Sequence, residues 1–202
     1  VRVAVLASGS GTILEAMIVG DIPVIFVLTD RKCTAADIAE RHGVEHALIP
    51  RNSFDKNFDR TKYTEEIRDA LEKKKIDLVV MAGFGTILEQ PIYDTFGKNV
   101  LNTHPSLLPS FPGWNAVEDA MNFGVRVTGC TVHVATKEVD AGPILAQEAV
   151  EVHEDDSVET LHERIKVVER RLYLETVHKI LKEGQVHIPT SKETDPKMNR
   201  AR

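Results

Sequence analysis

Val3-Ala4-Val5-Leu6-Ala7-Ser8-Gly9-Ser10-Gly11-Thr12 opens the chain with an apolar run that ends in a glycine-rich turn. Val3 to Leu6 reads as a buried strand and Ser8 to Gly11 as a tight loop. Thr12 to Val19 then carries helical spacing, with Ile13, Ala16 and Met17 on one side. Working outward, Ile22 to Leu28 is a second apolar strand. Ala35 to His42 is a short helix stopped by Gly43, and Val44 to Ile49 is a third strand. Strands that alternate with helices, and that are apolar on both faces, specify a parallel sheet covered on both sides.

The same rhythm continues past a polar connector, Arg51 to Arg60. A helix is expected from about Lys62 to Lys74, a central strand over Ile76 to Ala82, and a short helix from Pro91 to Gly97. Val100-Leu101 is a brief strand running into Asn102. Ala116 to Phe123 is a helix closed by Gly124. Val125 to Val134 and Ile144 to Val152 read as strands joined by a polar connection. Ser157 starts a long helix to Lys182, with acidic residues near its start but with Thr160 where a full capping box has Glu or Gln. Val186 to Ile188 is a candidate edge strand, and Ser191 to Arg202 is polar and expected to be loose.

Composition narrows the function. At 202 residues the chain fits one domain with a short tail. A net charge of -6 argues against non-specific nucleic-acid binding as the main activity. Cys33 and Cys130 make neither a disulfide framework nor a metal-ligand spacing, so a reducing compartment and no metal are expected. The first residues lack the pattern of a signal peptide, and no run approaches the roughly 20 apolar residues that span a bilayer. The expectation is a cytoplasmic protein with no membrane partner.

Polar residues stand out where apolar strands end. Asn102-Thr103-His104-Pro105-Ser106-Leu107-Leu108-Pro109 puts an amide and an imidazole at the carboxyl end of a strand, where open parallel sheets bind ligands. Asp140 lies in Glu138-Val139-Asp140-Ala141-Gly142-Pro143. An amide, an imidazole and a carboxylate supply an oxyanion donor, a proton-transfer group and its partner, which suits acyl or formyl transfer. A rigid proline turn and a loop carboxylate account for the same residues without chemistry. Ser8 to Thr12 could cradle a phosphate on exposed amides, although it lacks the Lys of the triphosphate loop and the full dinucleotide fingerprint. His133 has no special claim from strand periodicity and reads as structural or peripheral. Trp114 either covers a cleft or packs locally, and Cys130 reads as a buried small side chain.

Together, Ser8–Thr12, Gly83-Phe84, the Asn102–Pro109 segment and Asp140-Ala141-Gly142-Pro143 resemble the phosphoribosylglycinamide formyltransferase family over nearly all of residues 1–189. The resemblance implies a single-domain α/β formyltransferase fold, with a Rossmann-like, mostly parallel sheet flanked by helices. Residues 1–189 would be the catalytic domain and 190–202 a flexible tail. The implied reaction moves the formyl group of 10-formyltetrahydrofolate, as co-substrate, to the amine of 5-phospho-ribosylglycinamide in purine biosynthesis. Asn102 and His104 would stabilise the oxyanion and Asp140 would assist proton transfer. Gly9, Ser10, Gly11 and Thr12 would hold the phosphate and Glu169 the ribose hydroxyls. Phe84, Gly85, Thr86, Ile87, Leu88, Val139 and Asp140 would line the folate site, with Arg60 near its carboxylate tail.

The chain departs from the family pattern at three places. Ile13 replaces a frequent Asn after the phosphate loop, Gly85-Thr86 replaces Met-Arg, and Arg170 replaces a His. A homodimer is compatible with the resemblance, but periodicity assigns no interface. The close alternative is 10-formyltetrahydrofolate hydrolysis at the same three groups, in a class that commonly carries an additional regulatory domain before the catalytic one. Methionyl-transfer-RNA formyltransferase is a further relative, disfavoured by the acidic charge and the early loop. A module that binds folate or phosphometabolite without catalysis is disfavoured by the intact Asn102, His104 and Asp140.

Overall fold

All five residues of β1 (Val3–Ala7) are fully buried, and they split between two cores by simple alternation. Val3, Val5 and Ala7 face one side, while Ala4 and Leu6 face the other. The computed structural model describes residues 1–53 and 55–189. In chain order β1 is followed by α1 (Thr12–Val19), β2 (Val24–Thr29), α2 (Thr34–Arg41), β3 (Glu45–Leu48) and α3 (Arg60–Lys73). Then come β4 (Leu78–Met81), α4 (Gln90–Phe96), β5 (Val100–His104), α5 (Ala116–Phe123), β6 (Val127–Val134), β7 (Ile144–Glu151) and α6 (Val158–Glu183).

The strands form one seven-stranded sheet in the order β3-β2-β1-β4-β5-β6-β7. The first five pair in parallel, and β6 and β7 continue antiparallel. On one face α1, α2 and α6 bury residues such as Leu14, Ile38 and Tyr173. On the other, Tyr63, Ile67 and Leu71 of α3 and Ile92 and Phe96 of α4 do so. The chain winds outward from β1 to β3, then returns to place β4 on the other flank of β1. The crevice outside the carboxyl ends of β1 and β4 is therefore the topological switch point where open α/β sheets take ligands.

Three local expectations are corrected. The fifth strand does not stop at Leu101 but runs to His104, because Asn102, Thr103 and His104 pair with His133, Val132 and Thr131 of β6. A full capping box does start α6: the Ser157 hydroxyl accepts from the Thr160 amide at 3.2 Å, and the Thr160 hydroxyl accepts from the Ser157 amide at 2.9 Å. A threonine hydroxyl thus does what Glu or Gln usually does. Val186 to Ile188 forms no strand; Val186 is instead packed into the core. The loose tail expected over 190–202 lies outside the described residues. Among the described residues no helix is long and apolar enough to cross a membrane.

Candidate active site

The end of β5 and the loops after β1, β4 and β6 converge on one cavity of about 420 Å³, whose remaining wall is a face of α6. Each loop follows from its sequence. Gly11 ends the first turn in the left-handed region at φ 71°, and a Cβ there would meet the Ala35 backbone at 2.8 Å. No side chain caps α1, so the cavity receives the amides of its first turn through Gly9, Ser10, Gly11, Thr12 and Ile13. Gly142 lets the loop after β6 close back on the sheet, since a Cβ there would sit 1.8 Å from the Val134 carbonyl oxygen. That closure carries Asp140, itself at φ 55°, over the end of β5.

Asn102, His104 and Asp140, named from sequence, meet in this cavity. The His104 Nδ1 lies 3.3 Å from Asp140 Oδ2, and both side chains are almost wholly buried. The His104 Nε2 is 2.8 Å from the Phe111 carbonyl oxygen. Both partners are acceptors, so a ring that satisfies both donates from each nitrogen. Asp140 Oδ2 also accepts from the Gly113 amide at 2.8 Å, which ties the loop after β5 to the loop after β6.

His133, read from sequence as structural or peripheral, lies at the centre of this group. It stands directly across from Asn102 in the β5–β6 pairing, with its Nε2 3.3 Å from Asn102 Nδ2 and 3.7 Å from Asp140 Oδ1. Its Nδ1 lies 2.9 Å from the Val134 carbonyl oxygen, a pure acceptor, so the proton sits there and Nε2 accepts from the Asn102 amide. Burial lowers the ring's proton affinity, opposed by the Val134 carbonyl and Asp140, and the net shift is downward. A neutral His133 therefore fixes which way the Asn102 amide points. Only knowledge of the strand pairing identifies it.

Glu169 reaches the same cavity from α6, accepting from the Thr103 hydroxyl at 3.0 Å. Burial pushes its carboxyl above the ordinary range. One and two helical turns earlier, Lys166 and His162 also line the cavity, and sequence reading singled out neither. The spacing 162, 166 and 169 marks a single helix face, but not what that face meets.

The opposite wall is more mixed. Phe84, Thr86, Ile87, Leu88 and Val139 line the cavity; Gly85 and Arg60 do not. The Gly85 amide donates to Ser8 Oγ at 2.6 Å, and a Cβ at Gly85 would lie 2.9 Å from Arg31 Nη2. Thr86 donates to the buried Asp30 at 2.9 Å, and Arg31 grips Asp30 through two bonds of 2.9 and 3.1 Å. Burial works to raise the Asp30 carboxyl, but the Arg31, Ser8 and Thr86 groups outweigh it and hold the carboxyl below the ordinary range. The departure at Gly85-Thr86 is thus a coordinated one: glycine leaves room for Arg31, and threonine satisfies the acid that Arg31 pairs with. Arg60 pairs with Glu89 at 3.3 Å. Trp114 stands on the cavity rim, 75% exposed, so it covers the cleft rather than packing in the core. Cys130 is buried in the sheet, and burial pushes its thiol up to about 12, which leaves it inert as a nucleophile.

Comparison with known proteins bears on this geometry. The family model described as formyl transferase matches residues 1–177. The chain is similar to the phosphoribosylglycinamide formyltransferase of Mycobacterium tuberculosis, at 44% identity over 91% of this chain and 86% of that protein. Its fold is similar to the crystal structure of glycinamide ribonucleotide transformylase 1 from Symbiobacterium toebii. That match has a TM-score of 0.85 and 38% identity, covering 94% of this chain and 91% of that one. A formyltetrahydrofolate deformylase from Pseudomonas syringae is also similar, with a TM-score of 0.83 and 27% identity over 92% of this chain and 63% of that one.

Proposed function

The chain belongs to the formyl transferase family, and we propose that it moves the formyl group of 10-formyltetrahydrofolate onto the amine of 5-phospho-ribosylglycinamide, in purine biosynthesis. One observation carries this reading. A single cavity joins a capless, glycine-rich helix start to an amide, an imidazole and a carboxylate at the sheet's switch point. Residues 1–189 are the catalytic domain on this reading.

In the reaction the amine nitrogen attacks the formyl carbon, and the carbonyl oxygen takes up negative charge. The Asn102 amide, held by His133, offers its second N–H to that oxygen. His104 turns from the Phe111 carbonyl to the same oxygen and gives it a second donor. Asp140 holds the charge on His104 and helps move the amine's proton toward the folate nitrogen. The bond from carbon to the folate nitrogen then breaks, and that nitrogen leaves with the proton. No covalent intermediate with the protein is needed.

Substrate placement follows from the walls. The amides of Gly9 to Thr12 receive the phosphate, with Lys166 across the cavity as its counter-charge, and Glu169 accepts from the ribose hydroxyls. The folate ring lies between Phe84–Leu88 and the Val139–Asp140 loop, using backbone groups. Arg60 reaches the folate tail only by leaving Glu89, so its contribution is small.

Incubating the protein with 10-formyltetrahydrofolate, with and without the nucleotide, tests the function. Formylated nucleotide and tetrahydrofolate in equal amounts, formed only when the nucleotide is present, are expected. Release of formate at the same rate without it assigns the chain to hydrolysis instead.

A further inference from the structure

Ile13 lines the cavity at the first turn of α1, where a polar side chain would touch an anion held by the loop amides. Isoleucine offers nothing there. α6 packs against α1, as α2 does, and from α6 His162 and Lys166 line the same cavity one helical turn apart. Lys166 is the sole lysine or arginine among the described lining residues, while Asp140 and Glu169 bring two carboxyl groups. A doubly charged phosphate therefore meets little fixed positive charge, and of the two α1 residues that line the cavity Thr12 offers a hydroxyl while Ile13 offers no polar atom. The His162 ring makes no hydrogen bond among the described residues and is half-buried, so its donors are uncommitted.

We propose that His162 donates a hydrogen bond to the acceptor's phosphate, supplying from α6 the polar contact that Ile13 cannot make from α1. This deepens, and rests on, the reading of Gly9 to Thr12 as the phosphate site. The unloaded ring favours its neutral form, through burial first and the nearby Lys166 second, with Glu163 opposing. A neutral imidazole still has one N–H to give, and a bound phosphate would strengthen that bond by drawing on a second proton.

Inorganic phosphate is the probe, used as a competitor of the nucleotide in steady-state kinetics of the full chain. His162→Ala should weaken phosphate inhibition about ten-fold and raise the nucleotide KM by a like factor, as expected for losing one charge-assisted bond. Most of the loss should fall in nucleotide KM rather than kcat, and the KM for the formyl donor should stay within two-fold. His162→Gln, which keeps an N–H donor on a helix-compatible side chain, should recover at least half of the lost affinity. Equal phosphate inhibition in wild type and His162→Ala overturns the inference while leaving the phosphate site intact. A wild type that formylates the nucleotide but is not inhibited by phosphate overturns both it and the phosphate-site reading.

Discussion

Replacing Asp140 by Asn isolates one charge. The amide oxygen can take the place of Oδ2, keeping the 2.8 Å bond from the Gly113 amide and the 3.3 Å contact with His104. The amide nitrogen then faces His133 Nε2, 3.7 Å from the present Oδ1, whose lone pair already accepts from the Asn102 amide, so no bond there is gained or lost. Shape and hydrogen bonds survive, and the negative charge beside His104 is lost. At 3.3 Å and an effective dielectric of 20, the attraction between unit charges is about 5 kcal/mol. Desolvation of two nearly buried groups cancels part of that, leaving about 3–4 kcal/mol for the state in which His104 carries a full positive charge. The expected loss in kcat is therefore about 10²- to 10³-fold, with both KM values within three-fold of wild type. Single-turnover formyl transfer at saturating nucleotide and donor measures this directly, and thermal unfolding checks that the fold is unchanged. A kcat within five-fold of wild type would refute the assignment of Asp140 as the electrostatic partner of His104.

Other substitutions probe the surrounding structure. His133→Ala releases the Asn102 amide from its 3.3 Å restraint and should lower kcat about ten-fold or more, while inorganic phosphate inhibits as before; unchanged kcat removes His133 from any positioning role. Asp30, whose folded carboxyl titrates below its unfolded value, contributes stability that is present above about pH 4 and lost as pH falls through the folded value. Denaturant titrations from pH 6 to pH 2 should show that loss, and Asp30→Asn should flatten it; equal slopes in both proteins would contradict the sign. Thr86→Val removes one donor to that buried acid and should cost about 1–2 kcal/mol, read from the denaturation midpoint. Ser157→Ala removes the hydroxyl that accepts from the Thr160 amide, one of the two capping bonds of α6, and should cost about 1 kcal/mol, a fall in Tm of about 2–4 °C.

Which of these features could be read from sequence depends on how local they are. The β1–loop–α1 unit was legible because its signals are contiguous: a fully buried apolar run, two glycines and an amphipathic turn. The bounds of α1 and α5 match the spacing, and Asn102 and His104 stand out because polar residues interrupt an apolar strand. His133 was hidden because its significance lies across a strand pair, opposite Asn102, and nothing along its own strand differs from a packing histidine. Lys166 and His162 were hidden for a related reason: one helix face is visible in the spacing, but its meeting with α1 is a tertiary fact. The coupled choice of Gly85, Thr86, Asp30 and Arg31 joins two separate loops, so Gly85-Thr86 alone looked like an isolated departure. The expected strand at Val186 failed because a short apolar run can pack into a core without pairing.

In the proposed reaction one cavity holds both the phosphate grip and the reacting groups. A crystal structure with the glycinamide nucleotide and an unreactive folate analogue tests this most directly. The phosphate oxygens are predicted within hydrogen-bonding distance of the Gly9 to Thr12 amides, with the nucleotide's amine beside Asn102, His104 and Asp140. A nucleotide bound elsewhere, or bound here with its amine turned away from those three side chains, would contradict it.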